Sequence, residues 1–192
     1  MAFLETMAKL IERYNSFFTE GIVNTLIIAA FSVLFGAILG TLMASLRMCR
    51  IPPLRWIAVA YIEFVRGTPL MVQLMVVYFG PYFIFGIRIS MGYSLIAVFI
   101  AFAINYAAYF AEIYRSGIVS MDRGQYEAAK LLGYSKGQTF VRIILPQVVK
   151  RILPAITNEV ITLVKDTSLA FSISYVEMFT IAKQIAAAKT TI

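Results

Sequence analysis

Histidine is absent from the 192 residues, and cysteine occurs once, at Cys49. The first absence removes imidazole acid–base catalysis and the usual zinc sites. The second removes a disulfide framework within the chain and any multi-cysteine metal site. Charge is scarce too: 14% of residues are charged and 60% hydrophobic, whereas a soluble domain carries roughly 25% charged residues. A soluble fold could not bury that much apolar surface, so the composition calls for lipid as the solvent of the apolar faces. The sequence has no G-x-x-x-x-G-K-[ST] phosphate loop, no G-x-S-x-G and no dinucleotide fingerprint. Its polar segments are too short to hold a catalytic domain. No catalytic residue and no metal ligand is therefore expected, and energy must come from a partner protein or an ion gradient. The formal net charge of +7 is spread between long apolar runs, which fits the preference of Lys and Arg for cytoplasmic loops and not a nucleic-acid surface.

What is present is a series of apolar runs. Residues 1–20 read as an amphipathic helix in the membrane interface, with Phe3, Met7, Leu10, Tyr14 and Phe17 on one side and Glu5, Lys9, Glu12 and Arg13 on the other. The start lacks the basic region of a signal peptide. A transmembrane domain is expected over 21–192. Gly21 to Leu46 carries no charge and at 1.5 Å per residue covers roughly 39 Å, enough to cross the bilayer. Within it Gly36, Gly40 and Ala44 form a row of small residues that admits a close neighbour. Arg47, Arg50 and Arg55 follow with no acid among them, and Pro52 and Pro53 end the helix. This basic loop is assigned to the cytoplasm, which puts the N-terminus outside.

A second span, about 56–85, is interrupted by Glu63, Arg66, Gly67, Thr68 and Pro69. A third, about 91–114, carries the small face Ala103, Ala107 and Ala111. A second basic loop, 115–142, is again cytoplasmic by its charge excess. A fourth span, about 143–169, contains Pro146, Pro154, Asn158, Glu159, Lys165 and Asp166. A weaker amphipathic stretch, 174–188, follows. Tyr78, Tyr82 and Tyr93 read as an aromatic belt.

Charges within a span cost roughly 2.5–3.5 kcal/mol each on insertion scales. Two readings account for them: internal pairs such as Glu63 with Arg66 and Lys165 with Asp166, or a polar cavity that receives a zwitterion, beside a helix loosened by Gly67 and Pro69. The two are not exclusive.

The 115–142 loop contains Glu127-Ala128-Ala129, three residues, Gly133, nine residues, then Ile143-x-Leu145-Pro146. This E-A-A pattern resembles the cytoplasmic motif of ABC importer permeases at every fixed position. The segments from Tyr61 to Leu70 and from Asn158 to Leu169 are similar to those of polar amino-acid permeases of the histidine/glutamine type, and the resemblance runs from about Gly21 to Ala188. By its own physics the loop holds a short helix within 124–135 that stops at Gly133 and offers Ala128, Ala129, Leu131 and Leu132 as an apolar surface. Such a helix either docks on another protein or merely links two spans.

The resemblance implies an all-α, polytopic transmembrane bundle of the type I ABC importer permease fold. Four spans are present, and a fifth, usual in the family, is expected to be missing by truncation. It implies a prokaryotic cell-membrane protein, not an enzyme, that passes a polar amino acid by alternating access. It implies ATPase subunits carrying the ATP and Mg, a second permease subunit as homo- or heterodimer partner, and an extracytoplasmic solute-binding protein. On matching positions, Gln125, Glu127, Ala128, Ala129 and Gly133 would couple to the ATPase. Asn158, Glu159, Lys165 and Ser168, with Glu63, Arg66 and Thr68, would form the substrate site. An ion-coupled transporter or channel, and a scaffold subunit without transport, are the other readings.

Overall fold

The computed structural model describes residues 2–90 and 92–190, and the side chains of 15–90 and 92–187. The side chains of 2–14, on which the amphipathic reading of the first segment mostly rests, lie outside these, as do Met91 and the side chain of Ala188. Among the described residues the chain is helical, without strands: α1 (Ala2–Arg47), α2 (Pro52–Gly67), α3 (Leu70–Phe85), α4 (Tyr93–Val119), α5 (Arg123–Leu131), α6 (Lys136–Thr139), α7 (Leu145–Asp166) and α8 (Met178–Thr190). A π-helical turn, Phe140–Ile144, precedes α7, and a 3-10 segment, Thr167–Ile173, follows it.

Helix α1 runs unbroken for 46 residues, through position 20. Its stretch Asn15–Arg47 and the helix α4 are each long and apolar enough to cross a membrane. Helices α2 and α3 meet that test only when taken together as one broken span. The break is where the sequence placed it. Thr68 and Pro69 are both extended, at φ −117, ψ 143 and φ −65, ψ 136. Proline has no N–H to continue a helix and disfavours helical backbone in the residue before it. The expected fourth span is different: α7 is a continuous helix but is not among the helices that meet the test. Lys150, Arg151, Glu159, Lys165 and Asp166 dilute its apolar residues; among the described residues two helices, or three spans with the broken pair counted as one, are long and apolar enough to cross a membrane.

Two compact units are formed. One comprises the chain up to Ser32, Pro69–Phe102 and the chain from Thr162; the other comprises Val33–Thr68 and Ala103–Ile161.

In the first unit Phe31 stacks on Phe99 with ring centroids 4.0 Å apart, and Tyr78 stacks on Tyr93, whose hydroxyl donates to the Val77 carbonyl at 3.0 Å. The start of α8 is fastened to α1: Asn24 donates to the Val176 carbonyl at 2.9 Å and the Met178 amide donates to Thr25 at 3.3 Å. Buried Glu177 caps α8 by accepting from the amides of Phe179 and Thr180 at 2.6 and 2.8 Å.

The second unit is packed through small residues. A Cβ added to Gly40 would lie 2.7 Å from Phe110 Cβ and 3.1 Å from the Ala107 carbonyl oxygen, and one on Gly36 would lie 3.1 Å from Tyr106 Cβ. The Gly36–Gly40–Ala44 row thus lets α1 and α4 approach as read from the sequence. Ala44, Ile62, Val65, Ala108 and Ala111 continue that core into α2. On α4, Gly117 does the same for α7: its added Cβ would fall 2.3 Å from Ile152 Cγ2, beside the cluster of Ile144, Val148 and Ile152.

Candidate functional site

The segment from Ser120 to Gln147, in the second unit, is held by a succession of helix caps. Asp122, extended at φ −63, ψ 136, accepts from the Gly124 amide at 2.8 Å and so starts α5 as its N-cap. Nine residues later α5 ends in a reciprocal pair of bonds: the Tyr134 amide donates to the Ala129 carbonyl at 3.0 Å and the Gly133 amide to the Lys130 carbonyl at 3.1 Å. That closure is the Schellman motif, and it needs a left-handed residue, which Gly133 supplies at φ +80. Directly after it, Ser135 and Gln138 form a capping box: the Ser135 amide donates to Gln138 Oε1 at 2.9 Å and the Gln138 amide to Ser135 Oγ at 3.3 Å.

The chain then widens into the π-turn, in which the Leu145 amide reaches back to the Phe140 carbonyl. Pro146 follows at once. Its ring would crowd the carbonyl of Arg142 in a regular helix, and it has no N–H to donate; the wider turn relieves that crowding. The Ile143-x-Leu145-Pro146 end of the E-A-A pattern is therefore the junction between the π-turn and α7.

One side chain of α7 fastens it to α5 and another to the turn that precedes α5. Gln147 Nε2 donates to Gln125 Oε1 at 3.3 Å and to the Ile143 carbonyl at 2.8 Å, and Arg151 Nη1 donates to the Ser120 carbonyl at 3.1 Å. Sequence reasoning singled out Gln125 but neither Gln147 nor Arg151. The one signal available was the position of Gln147 immediately after the motif.

Along α5, Ala129 is buried while Gln125, Glu127 and Ala128 are exposed. Leu131 and Leu132 are 90% and 76% exposed. The four-residue apolar surface expected from the sequence thus divides: Ala129 packs inward, and Ala128, Leu131 and Leu132 face out. The reason is helix phase, since only one face of so short a helix can meet the body of the unit.

The residues expected to line a substrate site fall in both units. Glu63, Arg66, Thr68, Asn158 and Glu159 belong to the second, Lys165 and Ser168 to the first. Glu63 and Arg66 do not pair with each other. Glu63 is exposed, and the Arg66 guanidinium lies 5.4 Å from the centre of the Tyr109 ring. Thr68 Oγ1 donates to the Phe64 carbonyl at 3.0 Å, closing the end of α2. Asn158 is exposed and Glu159 half-buried on α7; Lys165 is exposed near its end, and Ser168 donates to the Lys165 carbonyl at 2.8 Å.

Two ion pairs meeting on Glu112 have no counterpart in the sequence reading. Glu112 on α4 accepts from Arg47 Nη1 at 2.7 Å and from Arg115, so one carboxylate joins the end of α1 to that of α4. The 65-residue separation between Arg47 and Glu112 leaves no trace in local spacing.

Comparison with known proteins agrees with this architecture. Residues 34–187 match the family model described as binding-protein-dependent transport system inner membrane component. The chain is 43% identical over 167 residues to the probable amino-acid ABC transporter permease protein YckA of Bacillus subtilis, covering 86% of this chain and 72% of that one. It is 40% identical over 172 residues to the arginine transport system permease protein ArtQ of the same organism, covering 90% and 77%. Among solved structures, an amino acid ABC transporter crystallised with histidines superposes with a TM-score of 0.81 at 34% identity, over 94% of this chain and 89% of that one. With helices apolar enough to cross a bilayer and a family model matched over most of its length, this multi-pass membrane protein belongs to the inner-membrane components of binding-protein-dependent transport systems, the permease subunits of ABC transporters.

Proposed function

We propose that this chain is the translocation subunit of an ATP-driven importer of a polar amino acid, in a prokaryotic cell membrane with its N-terminus outside. The observation that carries the reading is α5: a nine-residue helix capped at both ends, bonded to α7 through Gln125–Gln147, and presenting Leu131 and Leu132 to the outside. A helix so fixed can sit in a groove of another protein and pass its displacement on as a rigid body, because neither end can fray and absorb it. The groove belongs to an ATPase subunit, which holds the ATP and Mg; Glu127 and Gly133 sit at that junction.

A second permease subunit, identical or similar, completes the path, and an extracytoplasmic binding protein delivers the solute. ATP binding closes the ATPases, moves α5 and opens the path outward, and hydrolysis resets it. Asn158, Glu159, Lys165 and Ser168, with Glu63, Arg66 and Thr68, supply the carboxylate, cationic and hydroxyl groups that an amino acid with one ammonium and one carboxylate requires. The relatives named for amino-acid and arginine transport support this solute class.

The test is co-purification with co-expressed ATPase subunits, wild type beside Glu127→Lys. Recovery of the ATPase with wild type and its loss or uncoupling in the variant is the expected result. Absence of any ATPase, with solute flux following an ion gradient, overturns the reading. Glu159→Gln and Lys165→Met are each expected to reduce uptake at least tenfold with assembly intact; undiminished uptake in both removes them from the path.

A further inference from the structure

The turn between α1 and α2 encloses a site of its own within the second unit. The Cys49 amide donates to the Leu46 carbonyl at 3.2 Å and the Ile51 amide to Cys49 Sγ at 3.1 Å, folding the turn back on itself. It borders a cavity of about 560 Å³ lined by Arg50, Arg55 and Trp56 together with Met48, Pro52 and Val59. No carboxylate lines it, and no acid occurs in the sequence between Glu20 and Glu63. Arg50 and Arg55 form no ion pair among the described residues. Beyond the cavity an apolar stripe continues along α2, where Trp56, Ile57 and Phe64 are 74%, 65% and 70% exposed.

Two unpaired guanidiniums at the end of a span, an indole beside them, and an apolar stripe leading into the bilayer match one kind of molecule in both its parts. We propose that this cavity binds an anionic phospholipid, its phosphate held by Arg50 and Arg55 and an acyl chain laid along Trp56 and Phe64. Guanidinium is the cation best shaped for bidentate phosphate contact, and basic pockets at the cytoplasmic end of membrane helices attract anionic head groups. A soluble anion would use the arginines and leave the stripe bare. The leaflet, though not the site, rests on the importer reading, which places this loop in the cytoplasm.

Trp56 is the sole tryptophan of these 192 residues, so the chain carries its own probe. In nanodiscs of phosphatidylcholine, brominated phosphatidylglycerol is expected to quench Trp56 half-maximally at a mole fraction at least fivefold below that needed for brominated phosphatidylcholine. Arg50→Gln with Arg55→Gln should erase the preference, and Arg50→Lys with Arg55→Lys should keep most of it. Inorganic phosphate at constant ionic strength should leave the quenching unchanged.

Equal quenching by the two lipids, or a preference that survives the double glutamine variant, overturns the proposal. Relief by inorganic phosphate overturns it in favour of a free anion, and silence with both lipids overturns it in favour of a protein-covered face. Native mass spectrometry of the wild-type chain makes the same comparison without a variant: retained phosphatidylglycerol adducts are expected, and equal retention of phosphatidylcholine contradicts the site. Each of these failures leaves ATPase co-purification untouched, so it is distinguishable from failure of the importer reading.

Discussion

The 103–111 stretch of α4 turns most of its apolar side chains inward, leaving Ile104 exposed, whereas the end of α5 turns its leucines out. From 103 to 111, Ala103, Tyr106, Ala107, Ala108, Phe110 and Ala111 are all buried, and the small ones admit α1 and α2 to close contact. At the end of α5 the comparable residues, Leu131 and the C-cap Leu132, are 90% and 76% exposed, and only Ala129 packs inward. Both patterns are apolar, but only one is satisfied within the chain. A leucine turned outward on a lipid-facing helix meets its solvent. The same leucine on a helix bearing Arg123, Glu127 and Lys130, in a loop of net positive charge, has no such solvent, which is the ground for the docking role proposed for it. Burial, more than hydrophobicity, separates the packing residues from those proposed to dock.

That contrast can be broken from either side, and the effects on the folded chain should fall in order. Gly40→Val should be the most damaging, because even its Cβ meets Phe110 Cβ at 2.7 Å and the backbone oxygen of Ala107 at 3.1 Å. Overpacking typically costs about 1–3 kcal/mol, and the upper end is expected, seen as lost yield and a lowered unfolding midpoint in detergent. Glu112→Gln should follow, at about 1–3 kcal/mol as for the loss of one partner of a part-buried charged hydrogen bond, since it leaves Arg47 and Arg115 facing each other with no shared carboxylate. Thermal unfolding beside Arg47→Met with Glu112→Leu measures it; the double variant should recover part of the loss.

Gly133→Ala forces a side chain into the left-handed conformation at φ +80 and should cost about 1 kcal/mol, felt mainly as fraying of α5 in amide exchange. Leu131→Asp with Leu132→Asp should cost the fold least, under about 0.5 kcal/mol as for other exposed positions, and yet reduce ATPase recovery at least tenfold. If that pair destabilised the chain as much as Gly40→Val, the division between packing and docking residues would fail.

Much of this was legible in the sequence for local reasons. The charge-free run ending at Leu46 and the alanine face of α4 announce membrane helices, and Gly67-Thr68-Pro69 announces the break between α2 and α3. Gly133 marks a helix stop because few other residues tolerate its backbone conformation. What escaped was long-range or a matter of degree. Arg47 finds Glu112, Asn24 finds Val176 and Gln147 finds Gln125 across separations of 65, 152 and 22 residues, and no spacing rule encodes such meetings. The Glu63–Arg66 pairing suggested by their spacing gave way to Tyr109, whose ring face competes for the same guanidinium. The π-turn was hidden because Pro146 signals disruption without saying which. On α7, prolines and charges were read as interruptions of a span, whereas the helix is continuous and it is the apolar run that is interrupted.

The central claim is that α5 docks on an ATPase, and the most direct measurement is photo-crosslinking from position 131. A photoreactive phenylalanine derivative at 131, with a second at buried Val98 as control, is introduced in cells that co-express the candidate ATPase subunits. The account predicts an ATPase adduct from 131 and none from 98. ATPase present in the membrane fraction but absent from the adducts of 131, with only lipid or permease adducts formed, would contradict it.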